Sequence, residues 1–284
     1  FGNRTVSGTF VAGVTSPSRA CFAGAFTPSV SNIIDFVEIA TTGNATDFGD
    51  LTAALRDAGG CSSSTRGVYI GGLTPTKLTR LDFITIASQG NAIDYGDLTT
   101  AARGPAGVSN SVTGFASGGD TGSTVDTISS FNISSGGTVT DFGDLAIASK
   151  NAASNSGSHG GLSEGYQGTR IPPIPINRGT GSRMLLLGGQ TPSKASHVGR
   201  MNIKSSGNEN DFGELTQARA NGGGLGGTTR AILGGGNAAP VVTASAVIDS
   251  LEFATEGNAA DFGDLSSGRF TSGASNQVRG VFMA

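Results

Sequence analysis

Tryptophan is absent from this 284-residue chain, and charged residues, histidine and cysteine are scarce. Charged residues make up 14% of the sequence and the formal net charge is -3, so the clustered Lys and Arg that bind a nucleic-acid backbone are missing. No apolar run approaches the roughly 20 residues that a helix needs to cross a bilayer. We therefore expect neither nucleic acid nor a membrane as a partner.

Residues that carry catalytic chemistry are equally few. His159 and His197 are the only histidines, and neither lies in a metal-ligand spacing. The glycine-rich stretches lack the Lys-Ser/Thr ending of a phosphate-binding loop, and Gly-x-Ser-x-Gly does not occur as a strand-to-helix elbow. The sequence predicts a protein that is not an enzyme and that holds no metal or other cofactor.

Glycine is abundant instead, with 47 residues, and 36% of the chain is hydrophobic. That apolar content and the small net charge argue against disorder. Regularly placed Val, Ile and Phe in a Gly- and Thr-rich chain indicate many short strands joined by tight turns, and interior glycines make a helical repeat implausible. The fold class predicted is all-β.

A repeated marker organises the chain. Asp-Phe-Gly-Asp-Leu at 47–51 returns, with Tyr or Glu substitutions, at 94, 141, 211 and 261, and residues 1–5 open partway through a further copy. An apolar strand ending in Gly-Gly lies about 20 residues after each marker, as at 66–72. An alternating strand such as 81–86 and a Gly-Asn turn follow. Each unit of about 47 residues therefore contains four short strands, the first being small-residue-rich, as at 58–63.

The Gly-Gly strand, the alternating strand and the aromatic residue of the marker resemble the kelch repeat. This resemblance implies a β-propeller of four-stranded blades spanning residues 1–284 as a single domain. The chain departs from the kelch pattern where tryptophan is usual, having Phe48, Tyr95, Phe142, Phe212 and Phe262 there.

The number of blades is predicted from both chain ends. Residues 270–284 would supply the first two strands of a closing blade, and residues 1–5 would supply its outer strand. Six blades are favoured over five on this basis. No third strand for the closing blade is found in the sequence, so this blade is expected to be reduced, to be completed by residues outside the given sequence, or to be completed by a neighbouring chain through strand addition.

The near-identical, Gly- and Thr-rich sequences of the repeats resemble arrays in structural proteins of tailed bacteriophages, especially marine phages. This resemblance implies a virion protein, in the tail, a fibre or a decoration, that uses the propeller as a platform for protein–protein contacts. Its partners would be other structural proteins in a symmetric or homo-oligomeric particle. The alternative is a glycan-binding module for attachment, although sugar sites usually stack on exposed Trp or Tyr.

Polar residues that recur in every unit are interpreted as scaffolding. Asn44, Asp47 and Asp50 could form a calcium loop, but the structural interpretation is that Asn44 and Asp47 cap a turn while Asp50 accepts backbone hydrogen bonds. Two recurrent sets of basic residues are expected to pair with a carboxylate or carbonyl of a neighbouring blade rather than to form an anion-binding ring. These sets are Arg56, Arg103, Lys150, Arg219 and Arg269, and Arg19, Arg66, Arg183, Arg230 and Arg279. Cys21 and Cys61 occupy apolar repeat positions and are expected to be buried free thiols.

One stretch, about 150–183, breaks the repeat. Insertions in a repeat frame project as loops and often carry function, and its Pro-rich part should be extended. We expect any partner-binding site to lie there. The candidate residues are His159, Glu164, Tyr166, Arg170, Ile171, Pro172 and Pro173.

Overall fold

The computed structural model of the chain describes residues 2–110, 112–156, 183–227, 229–240, 243–276 and 278–284. Within these ranges the chain forms 28 β-strands and no helix, so none of the described segments is a helix that could span a membrane. The predicted all-β class is therefore confirmed. Most strands belong to four-stranded antiparallel sheets that follow one another along the chain.

The first three sheets each contain consecutive strands in order, with a short extra strand in the second. The first comprises β1 (Ala12–Thr15), β2 (Arg19–Phe26), β3 (Val30–Glu38) and β4 (Thr46–Leu55). The second comprises β5 (Gly59–Ser62), β6 (Arg66–Ile70), β7 (Leu73–Thr74), β8 (Thr76–Thr85) and β9 (Ile93–Ala102). The third comprises β10 (Ala106–Ser109), β11 (Thr113–Ser117), β12 (Thr127–Asn132) and β13 (Thr140–Asp144).

The fourth and fifth sheets carry short accessory strands, and the sixth has only two strands. The fourth region comprises β14 (Ala153–Ser156), β15 (Arg183–Leu187), the hairpin β16 (Gln190–Thr191) and β17 (Ser193–Lys194), β18 (His197–Asn202) and β19 (Asn210–Glu214). The fifth comprises β20 (Arg219–Ala220), β21 (Gly223–Gly226), β22 (Arg230–Gly234), β23 (Asn237–Ala238), β24 (Thr243–Ala244), β25 (Val247–Glu252) and β26 (Ala260–Asp264). The sixth comprises β27 (Ser272–Ser275) and β28 (Gly280–Met283).

The order of strands within a sheet follows the sequence signatures. In the second sheet the small-residue strand is β5, the apolar strand β6 runs into Gly71 and Gly72 at φ values of 62° and 112°, and the marker lies in β9. Glycine adopts this left-handed backbone without the steric cost that a Cβ brings, which allows the sharp exit from the strand. The predicted four-strand unit is thus confirmed in the sheets that are complete.

The first strands of the six sheets are neighbours of one another. β1 contacts β5, β5 contacts β10, β10 contacts β14, β14 contacts β21, and β21 contacts β27, which in turn contacts β1. Apolar layers fill the space between successive sheets; Tyr69 and Ile84 of the second sheet, for example, pack against Phe36 and Phe48 of the first. Similar layers join sheets two to three, three to four and four to five, and join six to one.

The markers of the first four sheets each join their sheet to the next, as the first marker shows. The backbone oxygen of Phe48 accepts a hydrogen bond from the N–H of Gly90 at 2.9 Å, and that of Asp50 accepts one from Ala92 at 2.8 Å. The side-chain oxygen of Asn91 in turn accepts the N–H of Asp50 at 3.0 Å. The Gly-Asn turn of one sheet is therefore held by the marker strand of the sheet before it.

Residues 2–5 occupy the marker position beside the first sheet. The N–H of Asn3 donates to the side-chain oxygen of Asn44 at 3.0 Å, and the N–H of Ala45 donates to the backbone oxygen of Asn3 at 2.8 Å. These are the hydrogen bonds that Asp50 makes to Asn91 and Ala92. The two ends of the chain therefore both contact the first sheet, residues 2–5 at its Gly-Asn turn and β27 at its first strand.

The marker glycines permit close approach between sheets, and two of them provide a matched comparison. Gly49 (φ 146°) and Gly263 (φ 140°) share the same backbone conformation, but a Cβ on Gly49 would lie 2.5 Å from the oxygen of Gly90, whereas one on Gly263 would meet nothing within 4 Å. We expect Gly49→Ala to lower the free energy of unfolding by about 1–3 kcal/mol more than Gly263→Ala, because only the first overpacks an interface. Chemical denaturation of both variants measures the difference. Equal losses of unfolding free energy would contradict close packing of Gly49 against the next sheet.

Candidate functional site

The inserted stretch was predicted at about 150–183, but residues 153–156 form the regular first strand β14 and Arg183 begins β15, so those bounds were too wide; the candidate residues within the stretch lie outside the described residues. His159, Glu164, Tyr166, Arg170, Ile171, Pro172 and Pro173 all fall within 157–182, between β14 and β15. The prediction for this segment stays a prediction. The described residues that carry polar chemistry lie elsewhere, along the axis between the first strands and at the contacts between sheets.

The segments that enter the first strands surround a cavity of about 160 Å³. Backbone hydrogen bonds run from one segment to the next around it: Asp57 N–H to Phe10 O at 3.2 Å, Gly104 to Asp57 at 2.7 Å, Asn151 to Gly104 at 2.8 Å, and Asn221 to Asn151 at 2.9 Å. Burial raises the pKa of Asp57, and the nearby charge of Arg56 offsets part of that rise. Glycines and other small residues line much of this cavity, and Asp57, Asn151 and Asn221 lie among them.

A ring of hydroxyl groups lies farther along the axis and lines a second cavity of about 80 Å³. The Ser109 hydroxyl donates to the oxygen of Ser62 at 2.6 Å, and that of Ser156 donates to Ser109 at 2.7 Å. Ser275 donates to the oxygen of Gly226 at 2.8 Å, and Thr15 donates to that of Ser275 at 3.1 Å. Each of these bonds joins one first strand to its neighbour, so the hydroxyls act as structural links.

Buried aspartates on the third strands form a second kind of link. Asp82 is 1% exposed and accepts both the hydroxyl of Thr52 at 2.7 Å and its N–H at 3.1 Å. Thr216 makes the same pair of bonds to Asp249, which is fully buried. Burial raises the pKa of Asp82, and the Thr52 hydrogen bonds offset part of that rise. The threonine after each of these markers thus donates two hydrogen bonds to the buried aspartate on the third strand of the following sheet. This pair of hydrogen bonds is called here the latch.

Residues 2–5 repeat this latch at the first sheet. The hydroxyl of Thr5 donates to Asp35, and the Arg4 guanidinium forms an ion pair with the same carboxylate at 3.0 Å. The Arg4 and Asp35 side chains are 2% and 0% exposed. Asp249 has a comparable buried partner in Arg219, whose guanidinium lies 2.7 Å away.

The fourth sheet keeps the latch but exchanges the residues that make it. Gly199 takes the place of the aspartate on β18, and the Glu209 carboxylate fills the space beside it, so that a Cβ on Gly199 would overlap that carboxylate. Glu209 accepts the N–H of Ala146 at 2.7 Å, as Asp82 accepts that of Thr52. Burial raises the pKa of Glu209. Sequence reasoning missed this exchange, although Gly199 and Glu209 both depart from the residues of the other repeats.

Four of the five arginines that begin second strands join neighbouring sheets, as predicted, whereas for Arg230 the prediction was wrong, because it pairs with Glu252 of its own sheet. Arg19 donates to the oxygens of Ile86 and Ala87 at 3.1 and 3.0 Å, and Arg66 donates to those of Ile133 and Ser134. The same position carries Arg183, which donates to Phe253, and Arg279, which donates to Ile39 and Ala40. Each acceptor lies at the end of the third strand of the following sheet.

The basic residues after the marker are mostly paired with acids or aromatic rings. Arg103 and Lys150 both contact the Asp120 carboxylate, at 3.1 and 3.0 Å, and Lys77 contacts it as well. The hydrogen bond from Lys77, followed by those from Lys150 and Arg103, holds the pKa of Asp120 well below its usual range. Arg56 lies over the ring of Phe26, with its guanidinium carbon 4.4 Å from the ring centroid. Pairing therefore accounts for this set better than an anion-binding ring, except at the exposed Arg269.

The proposed calcium loop is better explained as a joint between sheets. The side-chain oxygen of Asp47 accepts the N–H of Gly49 at 3.2 Å, which caps its own turn as expected. Asn44 instead accepts from Asn3 of the adjoining segment, because the turn faces the neighbouring sheet. Among the described residues no group of three His, Cys, Asp or Glu could hold a metal ion.

Cys21, Cys61 and His197 belong to the packing and polar contacts of the sheets. Cys21 and Cys61 are free and buried, as predicted, and burial raises the pKa of the Cys21 thiol to about 12. A thiol of this kind is unreactive at neutral pH. His197 lies 3.9 Å from Glu209 and 3.6 Å from Asp211, so it belongs to the exchanged latch of the fourth sheet.

The chain was also compared with known proteins. No protein-family model matches it. A search of curated proteins likewise gave no match. The polar geometry above is therefore the basis for a function.

Proposed function

We propose that the six sheets are the blades of a kelch-like β-propeller, with β27, β28 and residues 2–5 sharing the closing blade. The order of contacts among the first strands supports this arrangement, because it returns from β27 to β1. The hydrogen bonds from residues 2–5 to the first sheet support it independently.

We propose further that this propeller is a non-enzymatic platform for protein–protein contacts in a symmetric particle, as a tail, fibre or decoration component of a bacteriophage. The observation that carries the proposal is the use of the repeated polar residues. Asp82, Asp249, Arg19, Asn91 and Ser109 all bond across sheet contacts, so the repeat stiffens the scaffold. A rigid scaffold whose repeated polar groups bond to neighbouring sheets suits a structural role.

Glycan binding receives less support from the two tyrosines that the structure describes. Tyr69 is 1% exposed, and the Tyr95 hydroxyl donates to the backbone oxygen of Asn132 at 2.8 Å, with its ring half-buried. Neither ring presents the open face on which a pyranose stacks. Tyr166, the remaining tyrosine, lies outside the described residues.

The platform role predicts that the chain is a stoichiometric component of a large particle. Mass spectrometry of purified phage particles and a cryo-EM map should place a fixed number of copies at symmetry-related positions, in contact with other structural proteins. A chain that is absent from particles and stays monomeric at all concentrations, or that binds a defined glycan on an array, would overturn the proposal.

A further inference from the structure

Three cationic side chains converge on one carboxylate where the second, third and fourth sheets meet. Lys77 Nζ lies 2.5 Å from the Asp120 carboxylate, Lys150 Nζ lies 3.0 Å from it, and Arg103 Nη2 lies 3.1 Å from it. Among the described residues no other carboxylate has three cationic partners. Lys77, Arg103, Lys150 and Asp120 are called here the basic cluster.

The basic cluster carries more positive charge than its carboxylate can balance. Its three cations and one carboxylate leave two positive charges, in a chain whose formal net charge is -3. Asp120 is the only carboxylate that the described residues place within ion-pair distance of these cations. The hydrogen bonds from Lys77, Lys150 and Arg103 hold the pKa of Asp120 well below its usual range, so this carboxylate stays ionised and the excess persists at neutral pH.

A second acid in the same region does not remove the excess. Asp57 lies 3.9 Å from Arg56, which adds one more positive charge beside it. Burial raises the pKa of Asp57, and three nearby cations offset part of that rise: Arg56, Arg103 and Lys150. Counting Arg56 and Asp57 with the basic cluster gives four cations and two carboxylates, so two positive charges still remain.

The cations also have N–H donors to spare. Each lysine ammonium has three donors, and Lys77 and Lys150 each give one of them to Asp120. Arg103 gives its Nε and Nη2 groups to the same carboxylate, which leaves Nη1. The side chains of Lys77, Arg103 and Lys150 are 24%, 34% and 21% exposed, whereas that of Asp120 is 10% exposed. The carboxylate therefore lies beneath the three cations, and their remaining donors are accessible from solvent.

These properties define the ligand. An excess of two positive charges favours a group that carries two negative charges. Three donor side chains suit a group with three acceptor oxygens, as a phosphate or sulfate has, better than a carboxylate with two. The lysines act as point charges and the fork of Arg103 is already engaged by Asp120, so planar, bidentate recognition is not favoured. Because Asp120 holds the three cations together, little ordering is needed when the ligand binds.

We propose that the basic cluster is a binding site for a phosphate or sulfate group with two negative charges, to which Lys77, Arg103 and Lys150 donate hydrogen bonds. The inference goes beyond the platform role and uses only contacts within the second to fourth sheets. Absence of the chain from particles would contradict the platform role and leave this site intact.

The test is isothermal titration calorimetry of the 284-residue chain with inorganic phosphate and with sulfate, at constant low ionic strength and slightly alkaline pH. Both ions should show saturable binding to one site. Acetate should bind about 10-fold or more weakly, because it brings one charge and two oxygens. Lys77→Gln and Lys150→Gln should each weaken phosphate binding about 10-fold or more, since each removes a hydrogen bond between charged groups.

Lys194→Gln is the matched control, because it removes the same charge from the fourth sheet. Lys194 donates to the side chain of Asn237 and to the backbone oxygen of Ala238, so its loss should leave phosphate affinity unchanged. Phosphate should raise the Tm of the wild-type protein and not that of the folded double variant Lys77→Gln, Lys150→Gln.

Wild-type phosphate affinity in both single variants, or an equal loss of affinity in Lys194→Gln, would overturn the proposal. So would the absence of saturable binding by the folded wild-type protein. An acidic peptide that binds the basic cluster more tightly than phosphate does would assign it to a protein partner instead. Glucose 6-phosphate identifies the source of the group: affinity equal to that of inorganic phosphate indicates a site for the free ion, and tighter binding indicates a phosphorylated sugar.

Discussion

Asp249→Ala should lower the free energy of unfolding by about 3–5 kcal/mol, because it leaves the Arg219 guanidinium buried without its counter-charge. The two side chains are 0% exposed and lie 2.7 Å apart. Arg219 also donates to the backbone oxygen of Val247 at 2.6 Å, so it is fixed in place and does not reach solvent. Burial lowers the pKa of Arg219, and the Asp249 carboxylate offsets part of that effect.

The control for this prediction is a partly exposed ion pair in the same region. Arg200 and Glu256 are 32% and 52% exposed, so Arg200→Ala should cost less than about 1 kcal/mol. Urea denaturation followed by circular dichroism measures both variants. The double variant Arg219→Met, Asp249→Ala should recover part of the loss, since no charge then remains buried. If Asp249→Ala were no more damaging than Arg200→Ala, the buried Arg219–Asp249 ion pair would not be a stabilising element.

Gly199→Asp should destabilise the chain by several kcal/mol, even though it restores the residue found at this position in the first, second and fifth sheets. The new carboxylate would overlap that of Glu209, combining overpacking of about 1–3 kcal/mol with repulsion between two buried like charges. Glu209→Ala should cost about 1–3 kcal/mol, because the N–H of Ala146 loses its acceptor.

The double variant Gly199→Asp, Glu209→Ala decides whether the two residues form an exchanged latch. It recreates the aspartate and alanine of the first, second and fifth sheets, so its free energy of unfolding should lie within about 1 kcal/mol of wild type, far from the sum of the single losses. Additive losses measured by denaturation would show that Glu209 does not stand in for the aspartate.

Much of the local structure was predictable because the same sequence pattern occurs in several units of the chain. The small-residue strand predicted at 58–63 is β5 (Gly59–Ser62), and the arginines at the start of the second strands do reach the carbonyls of a neighbouring sheet. A position that carries the same residue type in many units must satisfy the same surroundings each time. Comparing copies within one chain therefore predicted the element and, for Arg19, Arg66, Arg183 and Arg279, a bond to a neighbouring sheet.

The contacts across sheets were harder to predict, since they depend on which face of one unit meets the next. Nothing in the marker itself distinguishes Phe262 from Phe212, yet Phe262 is 58% exposed and Phe212 is 4% exposed, because the described residues of the sheet beyond Phe262 form only the pair β27 and β28. The latch between Thr52 and Asp82 links residues that are 30 positions apart, with no local pattern to pair them. The Gly199 and Glu209 exchange did leave a signal, because two departures from the repeat occur in the same unit.

Closure of the ring between the sixth and first sheets is the central claim, and an engineered disulfide tests it most directly. A Cβ on Gly13 of β1 would lie 2.7 Å from the side-chain oxygen of Ser272 on β27, so Gly13→Cys with Ser272→Cys should oxidise readily in the folded monomer. Mass spectrometry should find the 13–272 linkage in most molecules, with a raised Tm that reduction reverses, while Gly60→Cys with Ser272→Cys, which joins first strands that are not neighbours, should remain unlinked. A folded protein in which cysteines 13 and 272 stay free would contradict the closed arrangement of six sheets.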